Sequence, residues 1–262
     1  MLKKLIIITF TTFALTLNVS AGTDGELILK KNNPSEIKDC SEKFNRATFA
    51  FNQVLDGAIF KPVAIVYKKL PSPLKTGVGN SLDNLSNLMT IPNNVLQGDF
   101  AKAGVNTGRF VLNTTVGILG IFDVAQQFGL EEYEKEDYGQ SLAKHGVGPG
   151  CYVVLPVLGP STARDTIASI ANFTGGDAWY NVTVKNETQH FSDIDYYSSK
   201  VTSGVDFRAK NFDSIENLEK NSLDFYASVK SLYLQDRKKR IANSDDITET
   251  MDDSDWEEIE TQ

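Results

Sequence analysis

The chain has 262 residues, 41% hydrophobic and 23% charged, the composition of an ordinary folded protein with room for one large domain or two small ones. Its net charge is −8, but nine of the acids lie in residues 244–262 without a single base; leaving that segment out gives +1, and leaving out Lys3 and Lys4 as well gives −1. So the body is nearly neutral, and it lacks the basic surplus of a general nucleic-acid binder.

In chain order, the first element is a signal peptide over residues 1–21. "MLKK" is a short basic start, "LIIITFTTFALTL" an apolar run, and Val19 and Ala21 are the small residues that a signal peptidase reads. No cysteine follows the apolar run, so there is no site for N-terminal acylation. Beyond it no stretch approaches about 20 unbroken apolar residues, and no ordinary transmembrane helix is expected. Residues 22–40 are polar without a period and read as an N-terminal arm.

A helical domain is expected over residues 41–243. Ser41 is a candidate N-cap, with Phe44, Ala47, Phe51 and Leu55 recurring at spacings of three and four. Gly57 and Pro62 should interrupt it, and a short apolar segment then ends at Pro71 and Pro73. A helix from about Leu74 to Leu96 sets Val78, Leu82, Leu85, Leu88 and Met89 against an Asn- and Ser-rich face; Pro92 should kink or divide it. Asp99 caps the next helix. In "NTTVGILGIFDVAQQFG" the apolar residues run together, and Gly117 and Gly120 point to close backbone packing or to a segment that lies against something other than its own core.

Residues 146–165, "GVGPGCYVVLPVLGPSTARD", hold no charge before Arg164, yet their glycines and prolines oppose both strand and helix. The expectation is a bent, irregular apolar segment. "STARDTIASIANF" reads as a capped helix with Ile167, Ile170 and Ala171 inward, residues 174–198 as loop, and the stretches from Val201 and from Ser222 as two closing helices. Residues 244–262 read as a disordered, solvating tail.

Little chemistry is visible. His145 and His190 lack metal spacing, and neither a GxSxG elbow nor a phosphate loop is present. His145 as a general base lacks a visible partner, and Glu131–Gly139 reads as a solvated loop rather than an acid–base pair. No enzyme and no cofactor are expected. Cys40 and Cys151 in an exported chain permit one disulfide; two separate buried thiols are the alternative.

Several segments in order resemble one family. They are "EKFNRATFAFNQVLD" with "KPVA", "GNSLDNL" with "PNNVLQGD", "TGRFVLNTTVGILGIFDVA", "DYGQSLAKHGVGPGCYVVLPVLGPSTARD" and "SLDFYASVKSLYLQDRKKRIAN". The set is similar to the MlaA/VacJ proteins of outer-membrane phospholipid transport. It departs from them in lacking an acylated cysteine, in Cys40 and Cys151, and in the acidic tail. The resemblance implies a mainly α, single-domain, ring-like bundle of amphipathic helices with Gly/Pro-rich apolar loops. It implies a protein on the periplasmic side of the outer membrane, beside a trimeric porin, that removes phospholipid from the outer leaflet through an amphipathic channel. The lipid then passes to a soluble periplasmic carrier, which maintains lipid asymmetry. A non-enzymatic scaffold is the alternative.

The resemblance also proposes a lipid path. Phe44, Asn45 and Arg46 match the family's "FNR" and either brace the channel or pack a helix start. Tyr152, Leu155 and Pro156 lie in the uncharged stretch along or beside that path. Arg164 and Asp165 match its "RD", as an ion pair or cap. Asn80, Asn84, Asn87, Asn93 and Asn94 either line a headgroup route or form a solvated helix surface.

Overall fold

The computed structural model describes residues 37–185 and 191–242; the signal peptide, the arm as far as residue 36, His190 and the acidic tail lie outside the described residues. From Ser41 the chain runs as one unbroken helical rod: α1 (Glu42–Leu55), a π-turn segment (Asp56–Phe60) and α2 (Lys61–Lys68). Gly57 and Pro62 do not interrupt it. The Lys61 N–H bonds the Asp56 carbonyl five residues back, and this wide turn gives room for the Pro62 ring at a position where helices tolerate proline. The resulting 27 residues, Glu42–Lys68, are long and apolar enough to cross a membrane by length and composition, contrary to the sequence reading. A search for unbroken apolar runs missed it because its few charges are spread along one flank.

The helix α3 (Ser72–Gln97) leads through Gly98, at φ +82°, into α4 (Phe100–Thr115), and the two pack along their lengths. Pro92 does not divide α3. Thr90 Oγ1 and Asn93 Nδ2 donate to the carbonyls of Ser86 and Met89, so side chains supply bonds on both sides of the proline. A short 3₁₀ turn (Ala125–Phe128) and α5 (Tyr138–Lys144) follow, the latter capped by Asp137.

The uncharged stretch is not irregular. It forms an antiparallel hairpin, β1 (Tyr152–Leu155) with β2 (Gly159–Thr162), registered Tyr152 to Thr162 and Leu155 to Gly159. Pro156 falls in the turn, and Pro160 sits in a strand short enough to be all edge. Asn52 of α1 brackets the turn: its Nδ2 donates 2.9 Å to the Leu155 carbonyl and its Oδ1 accepts from Val157 N at 2.7 Å. The chain ends with α6 (Ala163–Ala171), π-helical segments at Asn172–Gly176 and Tyr180–Lys185, then α7 (Asp193–Lys210), α8 (Phe212–Asn221) and α9 (Phe225–Ala242). The stretch expected as loop after 174 is therefore partly helical, and the helix expected from Val201 is two helices parted at Asn211.

The fold is mainly α, but its polarity is inverted. Among the described residues the buried apolar side chains are five alanines, three tyrosines, Val154, Val205 and Trp179, with no Leu, Ile, Phe or Met. Asparagines fill the interior instead: Asn45, Asn84, Asn87, Asn93, Asn94, Asn106 and Asn113. Val54, Phe100, Phe128, Leu119 and Ile194 lie outside with more than half their surface open. One sequence expectation is corrected here and one alternative is decided. Ile167 and Ile170 of α6, expected inward, point outward; the Asn face of α3, read as either a headgroup route or a solvated surface, is interior; and on α1 Phe44 and Phe51 point outward while Asn45 and Thr48 are buried. Periodicity identifies which residues share a face, and the assumption that water lies outside chose the wrong one.

Candidate functional site

The interior is built on α3. Asn80, Asn84, Asn87 and Asn94 recur at the spacings of a helix seam, where a soluble bundle places leucine. Each amide reaches a different neighbour. Asn80 Nδ2 donates 3.1 Å to the Ile121 carbonyl, Asn84 Nδ2 donates 2.8 Å to Thr114 Oγ1, and Asn87 Oδ1 accepts from Lys135 Nζ at 3.2 Å. Farther along, Asn94 Oδ1 accepts from Asn106 Nδ2 at 2.9 Å and Asn93 Oδ1 from Ser141 Oγ at 2.7 Å. Glu136, in the segment expected to be solvated, is buried and receives Gln97 and Gln140.

On α4, Arg109 is buried and holds the following loop. It donates 2.6 Å to the Leu130 carbonyl and 2.9 Å to Asp123 Oδ2, while Asn113 Nδ2 takes Asp123 Oδ1 at 2.9 Å. Burial works to raise the Asp123 pKa, but the hydrogen bonds from Asn113 and Arg109 overcome it and leave the carboxyl below its usual range. Gly120 is required here: at φ +87°, a Cβ would stand 2.6 Å from that of Asn84.

Between α3, α4 and this loop is a small polar cavity lined by Asn80, Asp83, Asn84, Asn87, Arg109, Asn113, Asp123, Glu132 and Lys135. Burial raises the Asp83 pKa, Glu132 and Asp206 add to that, and Lys135 and Lys210 oppose it. Alongside lies an apolar groove of about 400 Å³ lined by Leu74, Gly77, Val78, Leu82 and Ile121 with Ser198, Ser199 and Thr202 of α7. Ile121 serves both sites. Its carbonyl holds Asn80 on the polar side, and its Cγ2 fills the space beside Gly77 on the apolar side.

Asn80, Asn84 and Asn87 were singled out from sequence, but the eight residues named from the FNR, RD and uncharged motifs gather elsewhere, where α1, the hairpin, α6 and α9 meet. Asn45 is buried, with Nδ2 on Asp39 and the Tyr152 carbonyl at 2.7 and 3.0 Å and Oδ1 on Val154 N at 2.9 Å; it closes the free edge of β1. Arg46 pairs with Glu42 and Asp224 at 2.7 and 2.6 Å and lies 4.4 Å over the Tyr226 ring. Tyr152 is buried against Tyr226 and Tyr233. Asp165 receives Arg164 Nε at 2.9 Å, Tyr233 Oη at 2.9 Å and Arg237 at 3.0 Å, and Arg237 also grips Asp137 at 2.6 Å. Burial pushes the Asp165 pKa up, yet the two arginines leave it lowered. Cys40 and Cys151 are joined by a disulfide, with Cα atoms 5.6 Å apart. Phe44 and Pro156 are exposed and Leu155 is half-buried.

Asp165 also borders a second cavity of about 250 Å³ with Tyr138, Ser161, Asn172, Tyr233 and Arg237. The other seven sequence-derived residues line neither the polar cavity nor the apolar groove. The cavity's Arg109, Asp123, Glu132 and Lys135 went unnoticed because they come from separate segments with no fixed spacing; only the Asn repeat of α3 announced it. His145 is exposed, its Nδ1 2.8 Å from the Ser141 carbonyl. Among the described residues no group of three His, Cys, Asp or Glu is arranged to hold a metal ion.

Comparison with known proteins gives a consistent result. The family model described as MlaA lipoprotein matches residues 37–240. The intermembrane phospholipid transport system lipoprotein MlaA of Escherichia coli (strain K12) is 35% identical over 213 residues, covering 80% of each chain. A protein of Rickettsia bellii is also 35% identical, over 80% of this chain and 79% of its own. A structure solved in work on the maintenance of bacterial outer membrane lipid asymmetry matches with a TM-score of 0.63 and 32% identity, covering 78% of this chain and 99% of that one.

Proposed function

Because this chain belongs to the MlaA family, we propose that it transports phospholipid between membranes and so maintains outer-membrane lipid asymmetry. The inverted polarity carries this reading. A two-chain phospholipid needs apolar surface for its tails and a polar route for its headgroup, and here both lie side by side with Ile121 between them. The exposed Phe, Val, Ile and Leu side chains form far more apolar surface than a protein in water tolerates. Helices of this kind lie in one leaflet with the apolar face in the acyl region.

On this reading the protein sits on the periplasmic side of the outer membrane, beside a trimeric porin, and passes lipid from the outer leaflet to a soluble periplasmic carrier. Phe44, Leu155 and Pro156 supply acyl contact. Asn45, Arg46, Tyr152, Arg164 and Asp165 hold the frame that keeps the path open. No step changes the lipid covalently.

Two measurements test the proposal. Detergent-purified protein analysed by native mass spectrometry should carry phospholipid. Expression in Escherichia coli lacking its own MlaA should lower outer-leaflet phospholipid toward the parental level. A lipid-free protein together with unchanged outer-leaflet phospholipid would sink the idea.

A further inference from the structure

We infer that the cavity between α3 and α4 is a recognition site for the primary ammonium of a phospholipid headgroup, with Asp83 and Asn84 as its acceptors. The inference rests on the transport reading and narrows it to a substrate class. Asn84 is 3% exposed, its Nδ2 is used by Thr114, and its Oδ1, in the cavity wall, has no hydrogen-bond partner. An acceptor buried this way is costly unless something donates to it. Beside it the Asp83 carboxylate makes no hydrogen bond or ion pair among the described residues.

The cavity's two cations are already held by protein partners. Arg109 is held by Leu130 and Asp123, and Lys135 by Asn87 and Glu132. The buried side-chain atom left unmatched in this wall is an acceptor, and the wall carries two cations against three carboxylates. An anion such as phosphate is disfavoured there by the excess of carboxylates. A cation with several N–H groups answers both vacant acceptors.

Size narrows the class further. The cavity holds about 20 Å³, room for one water-sized group. An –NH₃⁺ group has that size and three donors. A trimethylammonium carries the same charge but is larger and has no N–H, so it leaves Asn84 unsatisfied. A glycerol headgroup brings hydroxyl donors without the positive charge that Asp83 selects. The apolar groove behind Ile121 then receives acyl chain from the same lipid.

The test equilibrates delipidated full-length protein with detergent micelles holding equal phosphatidylethanolamine, phosphatidylcholine and phosphatidylglycerol. Bound lipid is then quantified by mass spectrometry, total and by class. The wild type should enrich phosphatidylethanolamine about ten-fold over each of the others, the scale of one unsatisfied buried acceptor. Asp83→Asn should bring that ratio below about two-fold, Asp83→Glu should preserve most of it, and Lys69→Gln, exposed and away from the cavity, should leave it unchanged. Lipid bound without class preference overturns the inference and leaves the transport reading standing. Preference that persists in Asp83→Asn overturns the assignment to this cavity. No bound lipid at all overturns both. Free ethanolamine, added alone, distinguishes the source: if it protects the protein against heat while the lipids show no preference, the site serves a soluble amine and the headgroup assignment fails.

Discussion

Two regions of the interior exclude water from buried polar groups in opposite ways. Where α1, the hairpin, α6 and α9 meet, the contacts are charged, aromatic and covalent: Asp165 between Arg164 and Arg237, Tyr152 against Tyr226 and Tyr233, and Cys40 bonded to Cys151. Between α3 and α4 a seam of neutral amides runs beside the Arg109–Asp123 pair, and Asn84 and Asn94 are left with atoms unmatched, as Tyr152 and Arg164 are in the frame. The first region is a closed frame. The second is a surface that can exchange its partners with a guest, because an amide donates and accepts equally well and carries no charge to strand. On the transport reading, rigidity and passage fall to different chemistries within one fold.

That contrast can be broken at the frame first. Cys151→Ser opens a loop of 111 residues and should cost about 4 kcal/mol of stability, read as a lower unfolding temperature in detergent. Asp165→Ala leaves two buried arginines without their shared carboxylate and should cost about 3 kcal/mol. The same group sets a pH dependence. Its folded pKa lies below the unfolded one, so its stabilisation is complete above about pH 4 and is lost as pH falls through the folded value. The wild type should lose unfolding temperature in that acid range, and Asp165→Asn should not show this component.

The amide region should respond in the other currency. Replacing Asn94 and Asn106 together by leucine removes a matched pair and an unmatched Nδ2, so stability should change by less than about 1 kcal/mol. Lipid transfer between vesicles should nevertheless fall, since two polar positions along α3 and α4 become apolar. Equal stability losses in the two regions would erase the distinction drawn between them.

Element existence was readable from the sequence; orientation was not. The start of α1 after Ser41, the span of α3 and the α4 helix all follow from spacing, which is a local effect; the Ser41 side chain makes no cap bond. The buried face of α6 was misassigned, since Ile167 and Ile170 obey helical periodicity whether the apolar phase is a core or a bilayer. The hairpin was missed because Gly159 and Pro160 are poor strand residues, and because Asn45 and Asn52 hold β1 and the turn from a helix more than 100 positions away. Cysteine count allowed the disulfide, while the 5.6 Å that makes it feasible is a tertiary fact. For the polar cavity, only the asparagine seam of α3 was visible, and its meaning depended on which side of the helix is wet.

The outward-facing apolar side chains have a thermodynamic consequence. A bilayer or micelle that engages Val54, Phe100 and Ile194 in the native state, and finds no such ordered surface in the unfolded chain, acts as a ligand of the folded form. Stability then has no single value. It rises with the amphiphile's affinity and available area, and a melting temperature becomes a property of the protein–amphiphile pair, to be compared only within one detergent or lipid at one concentration.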